Sequence, residues 1–349
     1  MPLAPISNEL SFYYEDSGPL DGPYTTLVMV HGTAFHAGIF RHMLPLAPPN
    51  GVRIVLLNRR DYPETTPFSP DELEALGSAD LVIRAKALGQ QGLDVGHFLA
   101  WFVRTQSVPP VSGRFGGIAL VAWSLAHTPL AGLLAFADQL PEDVRSVLGT
   151  YLRAYCIYDA PHGAFGLPTL SSYHPLTDPT HPEPARVPRF FSWVSTYYTH
   201  PPAALDTHDP QLLDTSPLAY PPLPTDRPAT LDNMAPADIQ GVSWPGPIAG
   251  SEGHIYGMPL EVTWEQTRRM LFDKDAGSVL PGCKVVVAWG ENTLWEAVGA
   301  AWAVEKIYKE RKEAGEAART LKVVEMMDAN HFPHWDCPEM MIQFLRSVV

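Results

Sequence analysis

Short apolar runs recur along the chain, each closed by a polar or glycine turn, with helix-spaced stretches between them. Residues 10–15 alternate and carry aromatics, which predicts a strand at a sheet edge. Residues 26–30 and 53–57 are short β-branched runs, the pattern of buried parallel strands, and 118–123, 154–158, 284–289 and 322–327 read as further strands. Helical spacing covers 80–104, interrupted by Gly89, Gly92 and Gly96, and 125–137, where Pro129 falls in a first turn that tolerates it. It returns over 295–318, with an acidic and basic outer face, and over 338–348, which opens on Pro338. Strands alternating with helices predict an α/β fold with a mostly parallel sheet covered on both faces.

The texture changes between residues 161 and 280. Pro, His, Tyr and Trp crowd this stretch, as in His174-Pro175, His181-Pro182, Tyr220-Pro221-Pro222 and Trp244-Pro245-Gly246-Pro247. Only 189–198 and 261–272 have helical spacing. So many aromatics predict an ordered, loop-rich insert in place of a solvated linker. The expected organisation is therefore a core of 1–160 and 281–349 with a subdomain of 161–280 inserted in it.

Composition narrows the partners. The 349 residues are 46% hydrophobic and 18% charged, with a formal net charge of −14. That balance suits a globular enzyme and opposes a nucleic-acid backbone or an anionic membrane surface. The basic clusters are Arg59-Arg60 and the 306–312 stretch, where glutamates interleave as on a solvated helix face. No secretory signal, membrane-spanning run or N-x-S/T sequon is visible, and Cys156, Cys283 and Cys337 are odd in number. They read as free thiols of a cytoplasmic protein.

The run Gly117-Ile118-Ala119-Leu120-Val121-Ala122-Trp123-Ser124-Leu125-Ala126 carries the most chemical information. A strand that turns sharply into a helix holds a serine at its apex, provided the residues two before and two after it are small. Here Ala122 and Ala126 meet that requirement, making Ser124 the candidate nucleophile. A base is expected on a loop past a late strand, and His331 stands there, with His334 as runner-up. A metal set of His331, His334 and Asp336 is disfavoured because Pro333 interrupts the presentation that such close ligands need. For the oxyanion, the expected donors are the backbone N–H of Leu125 and that of Thr33 or Ala34 in the His31-Gly32-Thr33-Ala34-Phe35 loop. His31, Phe35, His36 and Trp123 are candidates for the pocket lining. His36 and His42 have the plainer alternative of capping or surface roles.

Together, the strand-His-Gly loop, the A-x-S-x-A elbow and the late histidine resemble the α/β-hydrolase superfamily, serine-nucleophile branch with a cap domain. The resemblance covers residues from about 10 to 160 and from about 281 to 349. It implies an eight-stranded, mostly parallel sheet, an active site at the strands' carboxyl ends, and a cap inserted after the sixth strand, where the Pro/aromatic stretch begins. The chain departs from the family in two ways. Alanines replace the usual elbow glycines, and the segment Trp289-Gly290-Glu291-Asn292-Thr293-Leu294-Trp295-Glu296 has threonine where the triad acid is customary. Some members instead carry the acid after the sixth strand, which nominates Asp159, with Glu291 and Glu296 as alternatives and a dyad without acid also open. The implied activity is a cofactor-free, metal-free serine esterase or lactonase acting on a small, neutral, largely apolar substrate. The competing expectations are a lyase, cyclase or acyl-transfer enzyme using the same pocket, and a ligand-binding protein without turnover. No oligomeric state is implied.

Overall fold

A computed structural model describes residues 2–171, 173–213 and 227–349. The Tyr220-Pro221-Pro222 run lies outside the described residues. Eight strands form one sheet in the order β1-β2-β4-β3-β5-β6-β7-β8. They are β1 (Leu3–Pro5), β2 (Ser11–Asp16), β3 (Thr25–Val30), β4 (Val52–Leu57), β5 (Ile118–Trp123), β6 (Leu152–Tyr158), β7 (Lys284–Gly290) and β8 (Leu321–Met326). β1 and β2 pair antiparallel, β2 joins β4 antiparallel, and all later pairings are parallel. Every residue of β3, β4 and β5 is buried, as expected for parallel strands covered on both faces.

Seven of these strands are legible in the apolar pattern; β1 is not. It has three residues, alternates exposed and buried, and ends in a proline that only an edge tolerates. The segment read as one helix over 125–137 is instead a 3-10 turn, Ser124–Ala126, followed by the short helices His127–Leu130 and Gly132–Ala135. Pro129 supplies no amide there, and Gly132 presses against a neighbouring helix. The long helix after β7, Trp295–Glu313, stops short of the expected residue 318 because Gly315 adopts φ +80 and closes it.

The glycines inside helix Leu81–Thr105 have a packing reason. A Cβ at Gly92 would stand 2.3 Å from the Leu133 amide nitrogen, and one at Gly132 would stand 2.6 Å from the Gly89 carbonyl oxygen. The two backbones therefore touch directly behind the segment that follows Ser124. Gly92→Ala is expected to cost about 1–3 kcal/mol through forced separation of these helices. Urea unfolding of the variant against the wild type measures it.

The inserted stretch is more helical than its sequence suggests. Besides Glu183–Ser195 and Leu260–Phe272, it contains Pro202–Thr207, Thr230–Asn233, Pro236–Val242, Ser251–Tyr256 and Lys274–Val279. These pieces are too short to show a period, and two open on a proline whose missing amide would have had no partner. Pro188 lies inside Glu183–Ser195 and hides its first half from a periodicity reading. Leu260–Phe272 packs on helices Leu81–Thr105 and Gly132–Ala135, and Arg269 Nε donates to the Ala135 carbonyl at 2.8 Å. This part of the insert thus joins the helical layer of the sheet. Among the described residues, no helix is long and apolar enough to cross a membrane.

Candidate active site

β5 delivers the chain to Ser124, whose φ of 57 turns it abruptly into the 3-10 turn. A non-glycine residue held in the left-handed region costs roughly 1–3 kcal/mol and tends to mark functional sites. Ala122 and Ala126 are fully buried on either side. Gly32 lies so close that a Cβ placed on it would stand 3.0 Å from Ser124 Cβ. The small residues at these three positions let strand, turn and loop converge on one hydroxyl.

His331 follows β8 on a tightly held loop. Its carbonyl accepts the Trp123 indole N–H at 3.1 Å. The neighbouring Asn330, wholly buried, donates to the Ser195 carbonyl and to Thr230 Oγ1, both at 2.8 Å, and accepts from the Phe332 amide at 2.8 Å. Asp159 leaves β6 with φ 52, and its Oδ1 accepts the Gly290 amide at 2.9 Å. Its Oδ2 lies 3.2 Å from His331 Nδ1. Nδ1 is thereby assigned the proton, which leaves Nε2 with its lone pair free. Thr293, at the position where an acid is customary, places Oγ1 3.4 Å from the same Nδ1.

The other candidate acids and bases point elsewhere. Glu291 accepts the Asp328 amide at 2.9 Å. Glu296 sits in a cavity wall, 3.2 Å from His162 Nδ1. His334 is fully buried with Nδ1 2.8 Å from the Tyr158 hydroxyl, and burial holds its pKa well below the usual histidine value. Asp336 accepts from Tyr197 at 2.8 Å and from Thr230. The side chains of His331, His334 and Asp336 thus go to three different partners, and among the described residues no group of His, Cys, Asp and Glu is arranged to hold a metal ion. The three cysteines are free, two of them buried.

β3 leads into the His31-Gly32-Thr33-Ala34 loop, which a buried ion pair holds. Arg59 Nε donates to the His31 carbonyl and Nη2 to the Gly32 carbonyl, both at 3.0 Å. Nη1 pairs at 2.6 Å with Glu252 of the insert, whose other oxygen accepts the Thr33 hydroxyl at 2.6 Å. In a planar trans peptide the N–H points opposite the C=O. Fixing the Gly32 carbonyl on Arg59 therefore turns the Thr33 amide the other way. Glu252 and the buried Arg59 escaped the sequence reading, since an Arg-Arg pair reads as surface charge and the carboxylate that buries it lies far along the chain. Glu252→Ala strands the Arg59 charge in the interior and is expected to cost about 3–5 kcal/mol. Denaturant unfolding checks this, with a parallel fall in any activity that depends on the loop.

The structure narrows the donor choice in this loop and takes His31, Phe35, Trp123 and His36 out of the pocket lining, His36 in the capping role that was its plainer alternative. The Ala34 amide donates to the Tyr62 hydroxyl at 3.2 Å and so is already engaged, which leaves Thr33 as the loop's remaining candidate donor. His31 lies behind the loop: Nε2 accepts the Arg59 amide at 3.0 Å, and burial together with the Arg59 charge holds its pKa well below the usual value. Phe35 and Trp123 are core residues, 5.9 Å apart between ring centres. His36 caps the following 3-10 helix through Gly38 and reaches the Gly241 carbonyl at 2.8 Å, while the His42 ring lies 4.0 Å from that of Trp335, tilted by 35°.

Ser124, His331, Asp159, Thr33 and Leu125 all line one cavity of about 240 Å³. The insert supplies most of the remaining wall, including Tyr173, Phe190, Trp193, Tyr256 and Met258. The first-turn amide of Leu125 has no partner within its own helix and is available to a ligand here. Among the described residues, no lysine or arginine lines the cavity.

No protein-family model and no curated protein sequence matches the chain. Solved structures do. Est816, described as an N-acyl homoserine lactone degrading enzyme, aligns over 100% of both chains with 14% identity and a TM-score of 0.51. A carboxylesterase structure from the thaumarchaeon Nitrososphaera gargenis covers 99% of this chain and 97% of its own, with 13% identity and a TM-score of 0.49. A bromoperoxidase from Bacillus anthracis covers the same shares with 13% identity and a TM-score of 0.45. At such identities the likeness speaks to fold and not to substrate. With an eight-stranded, mostly parallel sheet whose strand β5 ends in a sharp turn at Ser124, the chain has the α/β-hydrolase fold.

Proposed function

We propose that the protein is a serine hydrolase that cleaves a carboxylic ester or lactone with a largely apolar body, through an acyl-enzyme on Ser124. One observation carries this reading: a His331–Asp159 pair at 3.2 Å opens onto the same cavity as a serine held at a left-handed elbow. In the first step Ser124 Oγ attacks the acyl carbon while His331 Nε2 takes its proton. Asp159 holds the imidazole in the Nδ1–H tautomer and stabilises the imidazolium that forms. The Thr33 and Leu125 amides donate to the oxyanion. Collapse of the tetrahedral adduct expels the alkoxide, which takes the proton from His331. Water then attacks the acyl-enzyme with His331 again as base, releasing the acid and restoring Ser124. The insert acts as a cap, and its aromatic wall excludes water and sets which acyl body fits.

Intact mass before and after exposure to a fluorophosphonate tests the proposal. A stoichiometric adduct on the wild type that is missing from Ser124→Ala supports it. A folded wild type that takes no adduct overturns it.

A further inference from the structure

One ionisable group in the cavity wall is used by nothing in the mechanism above. Glu296 lies in the first turn of helix Trp295–Glu313, where the helix dipole favours a negative charge. Its side chain is 9% exposed. Oε2 and His162 Nδ1 are 3.2 Å apart yet misaligned, so that neither atom has a hydrogen-bond partner among the described residues. His162 itself is wedged against the helix at Gly299, where a Cβ would stand 2.8 Å from its Cε1, and it does not line the cavity. Leaving a buried carboxylate oxygen without a donor is costly, and such groups in native proteins usually await a ligand or a water.

The surroundings say which ligand. Glu296 shares the wall with the rings of Tyr173, Phe190, Trp193 and Tyr256. His174, also in the wall, is held neutral at pH 7 because burial lowers its pKa to about 4. Asp159 is occupied by the Gly290 amide and His331. Among the described residues no lysine or arginine is in the lining, and none neutralises Glu296 from the cavity side. A carboxylate in a cavity wall that also carries aromatic rings, in a chain of net charge −14, is the chemistry that recognises an alkylammonium ion.

We propose that Glu296 is a specificity-determining residue that receives a protonated amine carried by the substrate, so that the preferred ester is a cationic amino ester and not a neutral one. The ester part of this inference rests on the serine-hydrolase reading; the ammonium site does not.

Two measurements on the full chain separate them. First, kcat/KM is compared for 4-nitrophenyl 6-aminohexanoate and 4-nitrophenyl heptanoate, which have the same length. The wild type is expected to favour the amino ester, and Glu296→Gln to lower the ratio of the two by about tenfold or more, as for a lost hydrogen bond to a charged group. Second, calorimetry compares binding of n-hexylammonium with that of 1-hexanol, and requires no turnover. The wild type is expected to prefer the ammonium ion, Glu296→Asp to retain part of that preference, and Glu296→Gln to lose it. Ser124-dependent hydrolysis of the heptanoate without preference for the amine overturns the inference and leaves the hydrolase reading standing. Glu296-dependent binding of hexylammonium with neither ester cleaved does the reverse. Should Glu296→Gln fail to fold, a wild type that binds hexanol at least as well as hexylammonium still overturns the inference.

Discussion

Ser124→Ala is expected to lower ester turnover by about 10⁶-fold, the scale on which removing a serine nucleophile disables a hydrolase. The protein should remain folded. Alanine keeps the Cβ, which would stand 3.0 Å from a Cβ placed on Gly32, and removes only the oxygen of a residue that lines the cavity. The left-handed φ of 57 already carries a Cβ, so the substitution adds no backbone strain. The melting temperature should therefore stay within a few degrees of the wild type. Steady-state kinetics on an aryl ester, beside a thermal melt, reads both quantities. Turnover persisting in a well-folded variant would remove Ser124 from the mechanism.

For Asp159→Asn the expected loss is about 10⁴-fold in kcat, and its origin is a misplaced proton. Oδ1 of Asp159 accepts the Gly290 amide at 2.9 Å, and Oδ2 faces His331 Nδ1 at 3.2 Å. An asparagine must keep its carbonyl oxygen toward the Gly290 N–H, which turns its NH₂ toward Nδ1. A donor facing Nδ1 forces the imidazole proton onto Nε2, the atom that accepts the Ser124 proton in the proposed mechanism. Glu291→Gln, whose carboxylate serves the Asp328 amide at 2.9 Å, should change kcat by less than the assay resolves. If Glu291→Gln is the crippling change and Asp159→Asn is not, the acid has been misassigned.

Much of this molecule is legible along the chain, because some structural demands are local. A strand covered on both faces needs a continuous apolar run, as β3, β4 and β5 have, and apolar or alternating runs mark seven of the eight strands. An elbow needs small residues two positions either side of its apex, and Ala122 and Ala126 announce Ser124. The short edge strand Leu3–Pro5 and the one-turn helices of the insert are not legible, since a few residues contain less than one period of either pattern.

Pairing across distance is a different matter. From composition alone, Asp159, Glu291 and Glu296 are equivalent carboxylates near strand ends, and which of them meets His331 depends on how β6, β7 and β8 lie side by side. The same holds for Arg59, whose partner Glu252 is nearly two hundred residues further on and joins it at 2.6 Å only when the insert folds back over β3 and β4. Backbone preference and burial pattern act within a few residues and so leave their mark in the order of amino acids. Charge pairing, the direction of an amide and the exhaustion of the Ala34 donor by Tyr62 depend on distances in space, and these exist only once the sheet and the insert have closed around the cavity.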